Sequence, residues 1–100
     1  MGRASVSYEK GLKDDLQDPE EAVAYLNAAL EDGDQEVFLL ALRDVAEARG
    51  LSRVARQASL NRENLYRILS QRGNPRLASL RALLDSLGLK LAVEVKQSAA

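Results

Sequence analysis

Residues 51–70 read LSRVARQASLNRENLYRILS, and their apolar positions form two short helical stripes separated by about three residues. The residues expected to face inward are Val54, Ala55, Ala58, Leu60, Leu65 and Ile68. Ala55 has to be small, because the second helix would cross close to it. Leu60 would fill the turn. Two short helices joined in this way are typical of a helix-turn-helix.

The outward face of the second helix carries long polar side chains that can reach base edges. These residues are Asn61, Arg62, Glu63, Asn64, Tyr66 and Arg67. Because arginine pairs best with guanine and asparagine with adenine, we expect Arg62, Asn64 and Arg67 to read bases. Glu63 could accept a hydrogen bond from cytosine, or it could pair with Arg67 one turn away. Tyr66 could pack, contact a phosphate or read a base.

Further polar residues flank this second helix and are better placed for the phosphate backbone. They are Ser52, Arg53, Arg72, Asn74 and Arg76. Ser52 is expected to cap the first helix and Asn61 the second, and a helix N-terminus presents backbone N–H groups that bind phosphate. Arg56 and Arg81 can be explained as ordinary surface residues.

The net charge of −1 conceals an asymmetry between the two halves of the chain. Residues 1–50 carry 12 acids and 5 bases, a net of −7, and residues 51–100 carry 3 acids and 9 bases, a net of +6. This split favours two surfaces with different partners, and the basic one suits nucleic acid. Three alternatives remain: the halves neutralise each other within or between subunits, the arginines are merely solvated, or the acids serve only solubility.

A chain of 100 residues suits one small domain, which we divide into four parts. The parts are an arm over residues 1–17 that orders only on packing, an acidic helix over 18–33, a helix-turn-helix DNA-binding domain over 34–88 and a strand over 89–96. Asp18 and Asp34 would cap the two helices before the motif, and Ser79 the helix after it. The expected fold class is all-α, with about five to six helices and a short C-terminal β-strand.

The strand is predicted from an alternating pattern, in which Leu89, Leu91, Val93 and Val95 are separated by smaller or charged residues. A single strand cannot satisfy its backbone, so it must pair with the N-terminal arm or with its symmetry mate. We favour an antiparallel pair across a two-fold axis, and therefore a homodimer. Such a dimer would place two recognition helices about 34 Å apart and predicts a palindromic operator in double-stranded DNA.

The motif resembles the helix-turn-helix of the Cro/phage-repressor family. The matching residues are Gly50-Leu51-Ser52, Ala55, Leu60-Asn61, Leu65, Ile68, Gly73, Pro75, Leu77, Ser79-Leu80, Leu83 and Leu87-Gly88, within residues 35–88. The chain departs from the family at Ser59, where glycine is usual in the turn, and at Arg53, where a phosphate-binding glutamine is common. Serine adopts the left-handed conformation only at some cost in free energy, whereas Arg53 can still contact phosphate.

A wider similarity extends over residues 8–95 and is carried by ALEDGD at 29–34, RENLYR at 62–67 and GNP at 73–75. In this combination the chain resembles the addiction-module antidote family of bacterial toxin–antitoxin operons and looks like a HigA-like antitoxin. The resemblance implies a protein that neutralises a small basic toxin of the RelE/ParE-like class, encoded in the same operon, and represses their shared promoter. We expect residues 8–34 to contact the toxin.

Several classes of function are excluded or disfavoured by composition. The chain has no cysteine and no histidine, which removes thiol nucleophiles, disulfides, histidine relays and nearly all zinc sites. Its neighbouring carboxylates would diverge on a helix, and it has no glycine-rich phosphate loop, so we expect no enzyme, no cofactor and no metal. The longest apolar run, residues 37–42, is too short to span a bilayer, and no secretory signal is visible. We therefore expect a cytoplasmic bacterial protein that is nucleoid-associated when bound to its operator.

Two other functions remain open at this point. The first is a stand-alone or phage-type repressor that has no toxin partner. The second is a protein-interaction module whose helix-turn-helix no longer binds DNA. Substitution of Arg62 and Arg67 separates this last possibility from the others, because only a DNA-binding protein depends on them.

Overall fold

The structure is a computed structural model that describes residues 10–70 and 74–97, and within these residues it is all-helical. The six helices are α1 (residues 10–16), α2 (Pro19–Glu31), α3 (Gln35–Arg49), α4 (Leu51–Gln57), α5 (Arg62–Ile68) and α6 (Leu77–Ser86). Tyr8 and Arg72, which were predicted to contact the toxin and DNA, lie outside the described residues.

Two aspartates begin the helices of the acidic half as predicted. The side chain of Asp18 accepts a hydrogen bond from the Glu20 amide at 3.0 Å, and Asp34 accepts one from the Glu36 amide at 2.9 Å. Each bond satisfies one of the backbone donors that a helix N-terminus leaves unpaired.

The caps predicted at Ser52 and Ser79 are wrong, because both helices begin earlier than expected. α4 starts at Leu51, directly after Gly50, whose φ of 96° ends α3 and turns the chain at once into the next helix. α6 starts at Leu77 after Arg76, and neither helix has a side-chain cap. Ser52 and Ser79 therefore lie inside helices, where their hydroxyls cannot cap an N-terminus.

The core is built by contacts between helix pairs, of which α4 takes part in three. α2 packs on α3, α3 on α4, and α4 on both α5 and α6. Four of the residues predicted to face inward from residues 51–70, namely Val54, Ala55, Ala58 and Leu65, are 7% exposed or less, whereas Leu60 and Ile68 are half-buried. Leu83, Leu84 and Leu87 of the α6 region are also buried. Among the described residues no polar side chain is buried, so the core is held by apolar contact alone.

Part of the predicted N-terminal arm is a helix that packs on the domain. In the described residues 10–16 of α1, Leu16 is 2% exposed and belongs to the core cluster. The side-chain amide of Gln17 donates a hydrogen bond to the Ala48 carbonyl at 3.2 Å. These two contacts attach the end of α1 to α3.

The strand predicted for residues 89–96 is not present in the described chain. Residues 89–97 form neither helix nor strand. The reason is that a strand exists only beside a partner, and the described residues offer none, because the described part of the arm is helical. As a result Val93 and Val95 are 98% and 94% exposed.

The turn between α4 and α5, residues 58–61, is closed by backbone bonds and contains a left-handed serine. The Leu60 amide donates to the Ala55 carbonyl at 2.8 Å, and Ser59 has a φ of 58°. Glycine is usual at this position in the family that the motif resembles, and the positive φ of Ser59 agrees with a left-handed turn. Ser59 therefore carries the backbone strain that glycine would relieve.

Replacing Ser59 with glycine is expected to stabilise the protein by about 0.5–1 kcal/mol, since relief of left-handed strain exceeds the added entropy of the unfolded chain. Urea denaturation measures the change. The control is Ser79→Gly inside α6, which is expected to destabilise by a similar amount, because glycine lowers helix propensity. Equal losses of stability in both variants would show that the turn carries no strain.

Candidate nucleic-acid interface

The position of α5 in the fold is fixed by two buried leucines and by a cap at its N-terminus. Leu65 and the following Leu69 are 1% and 2% exposed and face the core. Asn61 caps the helix, as predicted, and its side-chain oxygen accepts a hydrogen bond from the Asn64 amide at 2.7 Å. This bond occupies the acceptor of Asn61, which leaves only its side-chain amide donor free for a ligand.

The predicted DNA-contacting residues are accessible. Asn64 is half-buried, and the other described candidates are exposed: Ser52, Arg53, Asn61, Arg62, Glu63, Tyr66, Arg67, Asn74 and Arg76. One depression of about 610 Å³ brings Asn64 and Arg67 of α5 together with Asn74 and Arg76 of the segment before α6. Two of the predicted base readers and two of the predicted phosphate contacts therefore line one depression. Arg62 of α5 and Arg53 of α4 lie outside it.

Side chains along α5 hold one another in position. The Arg67 guanidinium donates to the Asn64 side-chain oxygen at 2.8 Å, and the Arg62 guanidinium donates to the Tyr66 hydroxyl at 3.4 Å. The Arg62 guanidinium carbon also lies 5.9 Å from the centre of the Tyr66 ring. These contacts reduce the rotamer freedom that binding would otherwise have to remove.

Glu63 was predicted either to accept a hydrogen bond from cytosine or to pair with Arg67. Arg67 bonds Asn64, and the described residues contain no ion pair between Glu63 and Arg67. The intrahelical pair is therefore not formed, and the exposed carboxylate of Glu63 remains available to a ligand.

Arg43 is a member of this surface that the sequence analysis missed. It lies on α3, with its guanidinium carbon 5.9 Å from the centre of the Tyr66 ring, and its Nε donates to Glu47 Oε1 at 2.9 Å. Tyr66 therefore has an arginine from each of two helices beside its ring. The only local signal was the i,i+4 spacing of Arg43 and Glu47, and nothing in that spacing points to Tyr66.

The charges of the two halves do not neutralise each other within the described chain. The ion pair found among the described residues joins Arg43 to Glu47. Both residues belong to α3, so this pair does not connect the two halves of the chain. The acids of α1 and α2 and of the turn after them are exposed: Asp14, Asp15, Asp18, Glu20, Glu21, Glu31, Asp32 and Asp34. Because α2 packs on α3 while α5 packs on α4, the acidic and the arginine-rich helices are held by different neighbours.

Neither a membrane-spanning helix nor a metal-binding cluster of carboxylates occurs in the part of the chain that the structure describes. None of its helices combines the length and the apolar character needed to cross a membrane. The same residues contain no group of three or more carboxylates able to hold a metal ion.

Comparison with known proteins identifies the family. Residues 8–95 match the family described as "probable addiction module antidote protein". An uncharacterized protein of Haemophilus influenzae is 40% identical over 79 residues, which are 79% of this chain and 81% of that relative. No solved structure matches the chain. Since the family match extends over nearly the whole chain, the protein belongs to the family of probable addiction module antidote proteins.

Proposed function

We propose that the chain is the antitoxin of a type II toxin–antitoxin module. It binds and neutralises a small basic toxin of the RelE/ParE-like class, encoded in the same operon, and it represses that operon by binding double-stranded operator DNA. The observation that carries this proposal is the antidote-family match over residues 8–95. The role is regulatory, without catalysis or cofactor, and is exercised in the bacterial cytoplasm and on the nucleoid when operator is bound.

DNA binding is assigned to α4 and α5, which act as a helix-turn-helix of the Cro/repressor type. The left-handed Ser59 and the buried Ala55 support this assignment, because they give the turn and the close helix crossing that the motif requires. Arg62, Asn64 and Arg67 read base edges.

The other predicted site residues assist the base readers from both sides of the motif. Ser52, Arg53, Asn61, Arg72, Asn74 and Arg76 position the protein on the phosphates. Glu63 and Tyr66 also face the DNA. Phosphate contacts of this kind fix the register of the protein on the duplex, whereas the base contacts choose the sequence.

Toxin neutralisation is assigned to the acidic half, within residues 8–34. Its exposed carboxylates have no ion-pair partner among the described residues. Their negative electrostatic potential can therefore attract a basic protein. Such a protein cleaves or contacts RNA through its basic surface, and an acidic partner that covers this surface blocks access of the substrate.

Operator binding is assigned to a homodimer, in which the two copies of α5 enter successive major grooves about 34 Å apart. The C-terminal residues 89–96 form the contact between the copies. This arrangement predicts that footprints on the operator are palindromic.

The test is a growth assay in a bacterial host. The short reading frame adjacent to this gene is expressed with and without the antitoxin, and we expect growth arrest alone and rescue on co-expression. A matched control replaces Arg62 and Arg67 with alanine, and it should still rescue growth, because rescue depends on the acidic half.

The second candidate is a stand-alone or phage-type repressor without a toxin, and the arginine-rich face of α5 favours it equally. Absence of arrest, with the neighbouring protein shown to be expressed, would establish this alternative over the antitoxin. Arrest without rescue would contradict the assignment of the acidic half to that toxin.

A further inference from the structure

The C-terminal segment, residues 89–97, borders an open apolar groove. The groove has a volume of about 560 Å³ and is lined by Val23 and Leu30 of α2, Leu84 of α6, and Leu89 and Leu91 of the segment itself. Val23, Leu30 and Leu91 are 42%, 55% and 44% exposed. The domain therefore leaves apolar surface uncovered beside the segment, in a groove that Glu31, Lys90 and Glu94 also line.

The backbone of the segment is also without partners. The Leu89 amide donates to the Leu84 carbonyl at 2.8 Å, but residues 90–97 make no backbone–backbone hydrogen bond with any described residue. Leu89 is half-buried against the core, whereas Val93 and Val95 on the same side of an extended chain are almost fully exposed. Among the described residues no apolar surface covers these two valines, so their burial requires a surface from outside the described part of the chain.

We propose that this surface is a second copy of the chain, whose segment pairs antiparallel with the first in the register that places Ala92 opposite the partner's Ala92. The inference rests on the homodimer proposed above and specifies its interface. It neither uses nor requires the toxin-binding or DNA-binding assignments.

The apolar faces of the two segments match in this register. Leu91 lies opposite the partner's Val93, and Leu89 lies opposite the partner's Val95, and the two-fold axis repeats both pairs. Because residues directly opposite each other share a face of a β-ribbon, all eight apolar side chains lie on one side. Val95 is thereby brought beside the partner's Leu89, where the partner's core begins.

The charged residues favour this register over the two in which the axis lies nearer the C-terminus. Lys90 lies opposite the partner's Glu94, and the symmetry repeats this opposite-charge pair at the other end. Moving the axis to Val93 would instead set Lys90 opposite the partner's Lys96, and moving it to Glu94 would set two glutamates opposite each other. Like charges directly opposite each other are destabilising, whereas opposite charges stabilise a strand pair.

A cysteine cross-linking experiment on the full chain tests the register directly, because the natural sequence has no cysteine. In Ala92→Cys the two thiols would face each other across the axis, where opposite Cα atoms are about 4.5–5.5 Å apart and a disulfide can form. We expect this variant to become a covalent dimer on mild oxidation. The controls are Val93→Cys and Val95→Cys, whose thiols lie farther apart, and we expect cross-linking at least about tenfold slower.

Charge reversal gives an independent measurement by sedimentation equilibrium. Lys90→Glu sets two carboxylates opposite each other at both ends of the ribbon and is expected to raise the dimer Kd at least about fourfold, as is Glu94→Lys. The double variant Lys90→Glu/Glu94→Lys restores the pairs and should dimerise within about twofold of the natural chain.

The outcomes separate the parts of the proposal. Faster cross-linking of Val93→Cys than of Ala92→Cys, or a tighter dimer in Lys90→Glu, would overturn the register while the homodimer stands. A natural chain that sediments as a monomer at all concentrations would overturn the homodimer and the pairing together. Neither result alters the growth assay, whose failure would concern the antitoxin function alone.

Discussion

Replacing Arg62 and Arg67 together with alanine is expected to abolish specific operator binding while toxin neutralisation is retained. Each guanidinium that pairs with a base edge contributes about 1–3 kcal/mol of discrimination, so the pair contributes about 2–6 kcal/mol per half-site. This loss corresponds to an affinity at least about 30-fold weaker. Both residues are exposed on α5 and alanine favours helix, so the fold should persist.

The affinity is measured by fluorescence anisotropy on operator DNA at one fixed salt concentration, because phosphate contacts make any affinity salt-dependent. The matched control is Arg56→Ala/Arg81→Ala, which removes the same charge from two exposed residues outside the α5 surface. The control should bind within about threefold of the natural chain. Equal losses in the two double variants would show that α5 contributes only charge. Natural affinity in Arg62→Ala/Arg67→Ala would remove α5 from DNA binding.

Much of the helical framework could be predicted because its signals are local. The caps at Asp18, Asp34 and Asn61 depend on a side chain and an amide two or three residues later, and all three are formed. Ala55 was identified by the same kind of reasoning, since a close helix crossing leaves room only for a small residue there.

The apolar stripes were only partly predictable. The helical spacing of the apolar residues in α2 predicts one inward stripe that includes Val23 and Leu30, but both are exposed. Leu39 and Leu69, in contrast, are buried without having been predicted. Helical periodicity shows which residues share one face of a helix. Whether that face is buried also depends on which neighbouring helix packs against it. That information is tertiary and is absent from a single helix pattern.

The remaining errors also concern contacts between distant parts of the chain. Arg43 reaches Tyr66 because α3 and α5 both pack on α4, and no spacing of residues 43 and 66 shows this. The C-terminal strand was predicted from the alternation of its residues, but a strand also needs a partner, which the described residues do not supply.

The fold determines how the acidic half can be tested. Deleting residues 1–33 would remove α2, which contributes Ala22, Leu26 and Ala29 to the core, each 7% exposed or less. Loss of toxin neutralisation in such a variant would follow from unfolding whatever the role of the acids. Surface substitutions avoid this problem, and Asp14 and Asp15 are suitable because both are exposed at the end of α1. Lysine near a helix C-terminus is favourable for the helix dipole.

We expect the variant Asp14→Lys/Asp15→Lys to bind the toxin with an association rate constant that is about tenfold lower. The reason is that the variant weakens the attraction of the acidic surface for a basic partner. Stopped-flow mixing at low and high salt measures the rate, and the deficit should shrink as salt screens the charges. Glu63→Lys/Asp85→Lys makes the same change in net charge in the other half and should associate nearly as fast as the natural chain. If the two variants slow association equally, the net charge of the whole protein steers the toxin, and the acidic half is not its binding surface.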